Sequence, residues 1–169
     1  MERSPQDQIS IDGYRPGAIG RIVELHAVYY AEHWGFDLRF EAQAARELSE
    51  FFLRFDADRD GFWTAWRGDV LFGSIAIDGL RGPDGARLRW FIVEPEFQGA
   101  GVGRELMTRA MDFCRRSGHA LVHLWTFAGL DAARALYERF GFRLSETHAD
   151  ADWGRPTLHQ KFIWRADQT

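Results

Sequence analysis

The chain is short of cysteine: Cys114 is the only one in 169 residues, so no internal disulfide can hold the fold. It falls on the apolar stripe of an expected helix, where a thiol packs as a small hydrophobe rather than reacting. Basic charge is scarce too. Twenty-one Lys and Arg against 25 Asp and Glu leave a net charge of −4, which argues against nucleic acid as the main partner. No apolar run approaches the ~20 residues of a membrane span. Met1–Gln8 lacks the apolar core of a signal peptide, so a soluble, cytoplasmic protein is expected, without a membrane partner. Internal repeats and low-complexity tracts are absent as well.

What is present is apolar and aromatic. Hydrophobic residues make up 46% of the chain, with seven Trp and fourteen Phe, enough for a sizeable core and incompatible with disorder. Residues 1–8 read as a tail and 9–166 as a single domain. Ile9–Tyr14 reads as a strand stopped by Arg15-Pro16-Gly17. Ile19, Ile22, Val23, His26 and Tyr30 recur at helical spacing across Ala18–Trp34. Ala44, Leu48, Phe51, Phe52 and Phe55 form the apolar face of a second helix, Glu41–Phe55. Strands Gly61–Trp66, Val70–Ile77 and Leu88–Val93 follow, turned by Arg67-Gly68-Asp69 and by Gly82-Pro83-Asp84-Gly85. Beyond them come helix Gly101–Ser117, strand Leu121–Phe127, helix Ala132–Phe140 with Gly141 as its C-cap, and strands Phe142–Thr147 and Leu158–Trp164. This order predicts an α/β fold, a mixed sheet with helices on both faces.

The six residues Gln98-Gly99-Ala100-Gly101-Val102-Gly103 join a strand to a helix. Alternating glycines remove the Cβ atoms that would keep a charged ligand from the backbone, and the helix start supplies unpaired N–H groups. The run therefore reads as an anion cradle. Arg104-Glu105 in place of Lys-Ser/Thr excludes a P-loop. A dinucleotide-binding unit fits poorly, because the run is G-x-G-x-G and the next strand ends without an acidic residue for a ribose.

The spacing Val93-x-Pro95-x-x-Gln98-Gly-x-Gly-x-Gly, followed by Ala133-x-x-Leu136-Tyr137-Glu138-x-x-Gly141-Phe142, resembles the GNAT superfamily of acyl-CoA-dependent N-acyltransferases. Tyr14-Arg15-Pro16-Gly17, Tyr29-Tyr30, Trp34-Gly35-Phe36 and Leu124-Trp125-Thr126 are similar to the acetyltransferase domain found alone or behind a winged-helix regulator in bacteria. The resemblance implies a mostly antiparallel sheet of about six or seven strands, splayed at the fourth, with about four helices.

It also implies acetyl-CoA as co-substrate, with no metal. Its pyrophosphate would lie on Gln98, Gly99, Ala100, Gly101, Val102, Gly103 and Arg104, and its pantetheine arm along Phe91, Ile92 and Val93. A backbone N–H of that strand would polarise the thioester carbonyl. Tyr137 matches the family's general acid, and its phenol suits a thiolate of similar basicity. Ala133, Leu136, Tyr137 and Phe140 also form a core-facing stripe, so a packing role for Tyr137 stands beside the catalytic one. Glu94 is the first candidate base, then His26 and Glu41, with ordered water as an alternative. His26, Tyr29, Tyr30 and Trp34, with Phe36 and Phe40, would line the acceptor pocket, and the loop Asp150-Ala151-Asp152-Trp153-Gly154 could cover it.

Two positions depart from the family. Leu130 stands where an asparagine often contacts CoA, and Trp125 where enzymes acting on protein N-termini carry a glutamate. The expected activity is direct attack of a small-molecule primary amine on acetyl-CoA. A protein lysine or N-terminus as acceptor, or a non-catalytic acyl-CoA sensor, are the alternatives. A homodimer is a further expectation.

Overall fold

The computed structural model describes residues 8–80 and 82–168, so all but the last residue of the expected tail lies outside the described residues. The elements run β1 (Ile9–Asp12), α1 (Ala18–Trp34), α2 (Leu38–Leu53), β2 (Gly61–Arg67), β3 (Val70–Asp78), β4 (Ala86–Val93), α3 (Val102–Arg116), β5 (Leu121–Phe127), α4 (Asp131–Arg139), β6 (Arg143–Asp150) and β7 (Thr157–Arg165). The order of elements is the expected one; the boundaries shift. α2 begins at Leu38 rather than Glu41 because the Asp37 carboxylate accepts the Arg39 N–H at 3.0 Å and caps the helix. Apolar periodicity cannot register that extra turn, since Leu38 is 76% exposed.

The seven strands form one sheet in the order β1-β2-β3-β4-β5-β7-β6, antiparallel throughout except for β4 beside β5. One face is covered by α3 and α4. There Leu106, Met107, Ala110 and Met111 pack on Phe72, Ile75, Val122, Leu124 and Phe162. Cys114 is fully buried in this layer, and burial pushes its thiol up to about 12, in keeping with a packing role. The other face takes α1 and α2, with Ile22, Leu48 and Phe51 against Phe62, Trp66 and Leu71.

The sheet is not continuous. β4 pairs with β5 only at Ala86↔Val122 and Arg87↔His123, and beyond Arg87 the two strands part. On its other side β4 stays paired with β3, but the register slips: Arg89 lies opposite Ala76 and Ile92 opposite Ser74. The extra residue in β4 is a bulge, which bends and twists the strand that carries it. Trp90 sits there at φ +46°, the single non-glycine residue of positive φ among those described. A left-handed residue costs about 1–2 kcal/mol. Three contacts hold it: the Ser74 hydroxyl donates to the Trp90 carbonyl at 2.7 Å, Arg89 lies over the indole at 4.1 Å, and Phe51 packs against it at 5.3 Å.

Gly85 guards the end where β4 and β5 still meet. Its φ is +72°, and a Cβ there would fall 2.2 Å from the Leu121 carbonyl oxygen. Gly85→Val should lower unfolding stability by at least ~2 kcal/mol by forcing the strands apart at their one point of pairing. Denaturant titration reads the change, and an unaltered midpoint would contradict this role for Gly85.

Candidate active site

Where β4 and β5 part, a cleft of about 1080 Å³ opens between them. Its β4 wall is the run Arg87–Val93, and its β5 wall is Leu124–Phe127. The edge of β4 that faces β5 has no strand partner past Arg87, so its backbone donors and acceptors turn into the cleft.

On the α3 side, Gln98, Gly99, Gly101, Gly103 and Arg104 reach the cleft wall. Gly99 and Gly101 are left-handed, at φ +83° and +82°, and a Cβ on either would meet nothing within 4 Å. Their glycines serve conformation and leave open space above the backbone. Gly103 differs: a Cβ there would touch Phe91, Leu136 and Val93 at 3.5–3.8 Å, so it serves the close approach of α3 to β4 and α4. Gly101 is the N-cap of α3 and no side chain caps that end. The N–H groups of Val102, Gly103 and Arg104 thus lack intrahelical acceptors and form a positively polarised donor set.

Two members of the run act otherwise. The Gln98 N–H is spent on the Pro95 carbonyl at 3.2 Å, and its side-chain amide donates to the Val93 carbonyl at 2.9 Å, bracing the loop onto the end of β4. Val102 buries its side chain in the core, and Ala100 is exposed at the tip.

A second helix start, expected from the sequence at Ala132 and found at Asp131, opens on the same cleft, which the sequence did not announce. Leu130 is the N-cap of α4 without a side-chain cap, and Gly129 to Ala133 line the wall. No Ser, Thr, Asn or Asp marked the cap position, so the usual signal was missing. From the same helix Tyr137 projects inward. Its ring packs against Phe91, Phe142 and Phe162 at centroid distances of 5.9–6.3 Å, while its hydroxyl has no hydrogen-bond partner among the described residues. The ring is packed as the core-facing stripe implied, and the residue lines the cleft. Burial raises its pKa, so it is a neutral O–H donor at physiological pH. Tyr30, across the cleft on α1, is also raised, first by burial and then by Tyr137 and Tyr29. The two phenols converge from opposite layers of the fold.

On the α1–α2 side the wall carries His26, Tyr29, Tyr30, Phe40, Gln43 and Glu47. The far end is closed by His148, Asp150, Asp152, Trp153 and His159. Trp153 is clamped: its indole N–H donates to Gln43 at 2.9 Å, and its carbonyl accepts the Asp37 N–H at 3.2 Å. Phe36, Phe40, Phe127 and His159 pack around its ring.

Several expected residues lie elsewhere. Trp34 is off the wall and supports Tyr29 and Tyr30 from behind. Glu94 is also off the wall: its carboxylate faces Arg21 at 3.4 Å. Glu41 is exposed on the first turn of α2, outside the cleft. Of the three expected bases only His26 reaches it. Arg87, Arg89 and Glu47 went unnoticed in the sequence, because their neighbours come from elements far apart in the chain. Among the described residues no cluster of His, Cys, Asp and Glu is arranged to hold a metal, and no helix is long and apolar enough to cross a membrane.

His26 is buried, and its Nδ1 lies 2.8 Å from the Ile22 carbonyl. That oxygen can only accept, so Nδ1 carries the proton and Nε2 the lone pair. Desolvation lowers its pKa to about 4, against the Ile22 hydrogen bond, which raises it. The unfolded chain therefore binds the extra proton first. This contribution to stability is complete above pH ~6.5 and is lost as pH falls toward 4, a change of about 3 kcal/mol. Chemical unfolding between pH 7.5 and 4 should show a smaller loss for His26→Gln than for the parent; parallel curves would remove His26 as its source.

Residues 19–142 match the acetyltransferase (GNAT) family. A mycothiol acetyltransferase of Geodermatophilus obscurus is 36% identical over 104 residues, covering 58% of this chain and 33% of that protein. An uncharacterized N-acetyltransferase of Methanocaldococcus jannaschii is 25% identical over 124 residues, covering 70% of this chain and 55% of its own length. The chain thus spans about half or less of these relatives. Among solved structures, yncA from Salmonella typhimurium, determined with acetyl-CoA, superposes with a TM-score of 0.73 at 18% identity over 95% of both chains, a likeness of fold. The matched segment takes in the glycine loop, both helix starts and Tyr137, and the chain belongs to the acetyltransferase (GNAT) family.

Proposed function

We propose that the protein transfers the acetyl group of acetyl-CoA to a primary amine of a small molecule. One observation carries this reading: a partnerless Tyr137 hydroxyl stands inside a cleft whose β4 edge is unpaired and onto which two uncapped helix starts open. Acetyl-CoA supplies an activated acyl thioester and a doubly charged pyrophosphate. The open space over Gly99 and Gly101 and the free N–H groups of Val102, Gly103 and Arg104 suit that pyrophosphate. The free edge of Phe91–Val93 suits the amide-bearing arm, which takes the place of a missing strand.

Chemistry needs one proton delivered and one removed. Tyr137 is the donor to the departing thiolate, being neutral and held in place by its packed ring. An ammonium acceptor must first lose a proton. His26 and His159 both line the cleft, and burial lowers both pKa values, so each is a neutral acceptor at physiological pH. The Trp153–Gln43 clamp supports a small acceptor: it ties the β6–β7 connection to α2 and narrows the side by which a polypeptide would enter. The relative named for mycothiol supports the same reading.

Tyr137→Phe should lower kcat by about a hundredfold while leaving acetyl-CoA affinity largely intact, as followed by release of free CoA. Full activity would remove Tyr137 from proton transfer. Gly101→Glu should abolish acetyl-CoA binding in calorimetry, since it places a bulky carboxylate where the pyrophosphate would lie. Undiminished binding would overturn the cradle assignment.

A further inference from the structure

The face of the sheet beneath α1 and α2 carries a small network of charges at the end of the cleft where β4 and β5 still pair. Arg89 pairs with Glu47 and reaches Asp78 at 3.4 Å; Arg54 reaches Asp78 at 2.6 Å. Arg46 adds a further approach to Glu47 at 3.9 Å. Both carboxylates are thus engaged. Arg87 is the exception: it lines the cleft, yet it has no ion pair and no hydrogen bond among the described residues, and its Nε is buried without a partner. An arginine presents five N–H donors in a rigid fork, and leaving them unmet in a half-buried site is costly. Burial, with the neighbouring Arg89, lowers Arg87 to about 10 against the fields of Glu47 and of Asp78, its cross-strand neighbour, which raise it; it is still a cation at neutral pH.

Position fixes what could meet it. Arg87 lies beside His123 at the last paired rung of β4 and β5, so it forms the floor of the V on the acceptor side. The glycine loop and α3 start belong to the opposite layer and to the other end of β4. The donor's phosphates have their own cradle there.

We propose that Arg87 receives a carboxylate of the acceptor, so that the substrate class is the aminocarboxylates. This rests on the amine-acetylation reading above. A planar carboxylate matches the guanidinium fork in two parallel hydrogen bonds. A single negative charge also fits the site, because Glu47 and Asp78 neutralise Arg89 and Arg54, Glu50 takes Arg46 at 3.9 Å, and one cation is left over. A phosphate dianion would overfill it. The acetylated nitrogen then lies farther along the cleft, toward Tyr137, His26 and His159.

The test uses matched sets: α- and ω-amino acids, their carboxamides, their decarboxylated amines and the corresponding aminophosphonates. Each is assayed by CoA release with the parent protein, Arg87→Lys and Arg87→Met. The parent should prefer aminocarboxylates to carboxamides in kcat/KM. Arg87→Met should shrink that preference about ten- to a hundredfold, through KM, and Arg87→Lys should restore part of it. Equal use of carboxamides by the parent, or better use of aminophosphonates, overturns the assignment. So does an equal loss on carboxylates and carboxamides in Arg87→Met.

Binding of the same panel to the CoA-loaded protein, read by calorimetry, separates this inference from the reading beneath it. Aminocarboxylate binding that Arg87→Met weakens, without turnover, upholds the subsite and refutes the transferase. Absence of any aminocarboxylate binding refutes the subsite. Acetyl-CoA binding by Arg87→Met reports that the variant is folded.

Discussion

Everything in this molecule that concerns chemistry depends on two neighbouring strands ceasing to pair. β4 and β5 share hydrogen bonds at Ala86 and Arg87 and then diverge, which leaves a row of backbone donors and acceptors without protein partners. Buried backbone groups in that condition are expensive, and a sheet would ordinarily close over them. The divergence persists because β4 is fixed at its start and bent in its middle. Gly85 permits the close approach at the start, and the bulge at Trp90, braced by Ser74, Arg89 and Phe51, bends the strand at mid-length. The strained tryptophan is thus the local cost of a cleft, offset by packing from α2.

The two helical layers give the cleft two different sides. α3 and α4 bring uncapped N-termini and the Tyr137 hydroxyl, a surface suited to negative charge and to a leaving thiolate. α1 and α2 bring aromatic rings, His26 held neutral by burial, and Glu47, which joins Arg89 and Asp78 of the sheet and Arg54 in one network. A ligand entering from the first side and one entering from the second would meet only where the sheet is split. That arrangement is where the proposed thioester donor and amine acceptor would be brought together, in a fold whose layers are otherwise separate cores.

Much of this was legible from local pattern. Alternating glycines before a helix marked the loop, since left-handed φ at Gly99 and Gly101 is a property of those residues themselves. Helical and strand periodicities gave the order of elements, because each reports which face of one element is buried. Tyr137 was visible as both a packed ring and a candidate acid; the structure packs the ring and places it on the cleft wall. Local pattern failed where partners are distant. Glu94, attractive as a carboxylate at a strand end, turns to Arg21, 73 residues away in sequence. The opening of α4 onto the cleft had no capping residue to announce it.

The sequence by itself determined the fold class, the glycine cradle, the packing fate of Cys114 and the family resemblance, all of which depend on spacing within short segments. Only the tertiary structure decided which charges find partners. Arg87 and Arg89 stand two residues apart on one strand face, yet one is paired twice and the other not at all. That difference arises from where Glu47 of α2 and Asp78 of β3 reach across the sheet. Electrostatic pairing depends on distance in space, and distance in space is set by packing that sequence spacing does not encode.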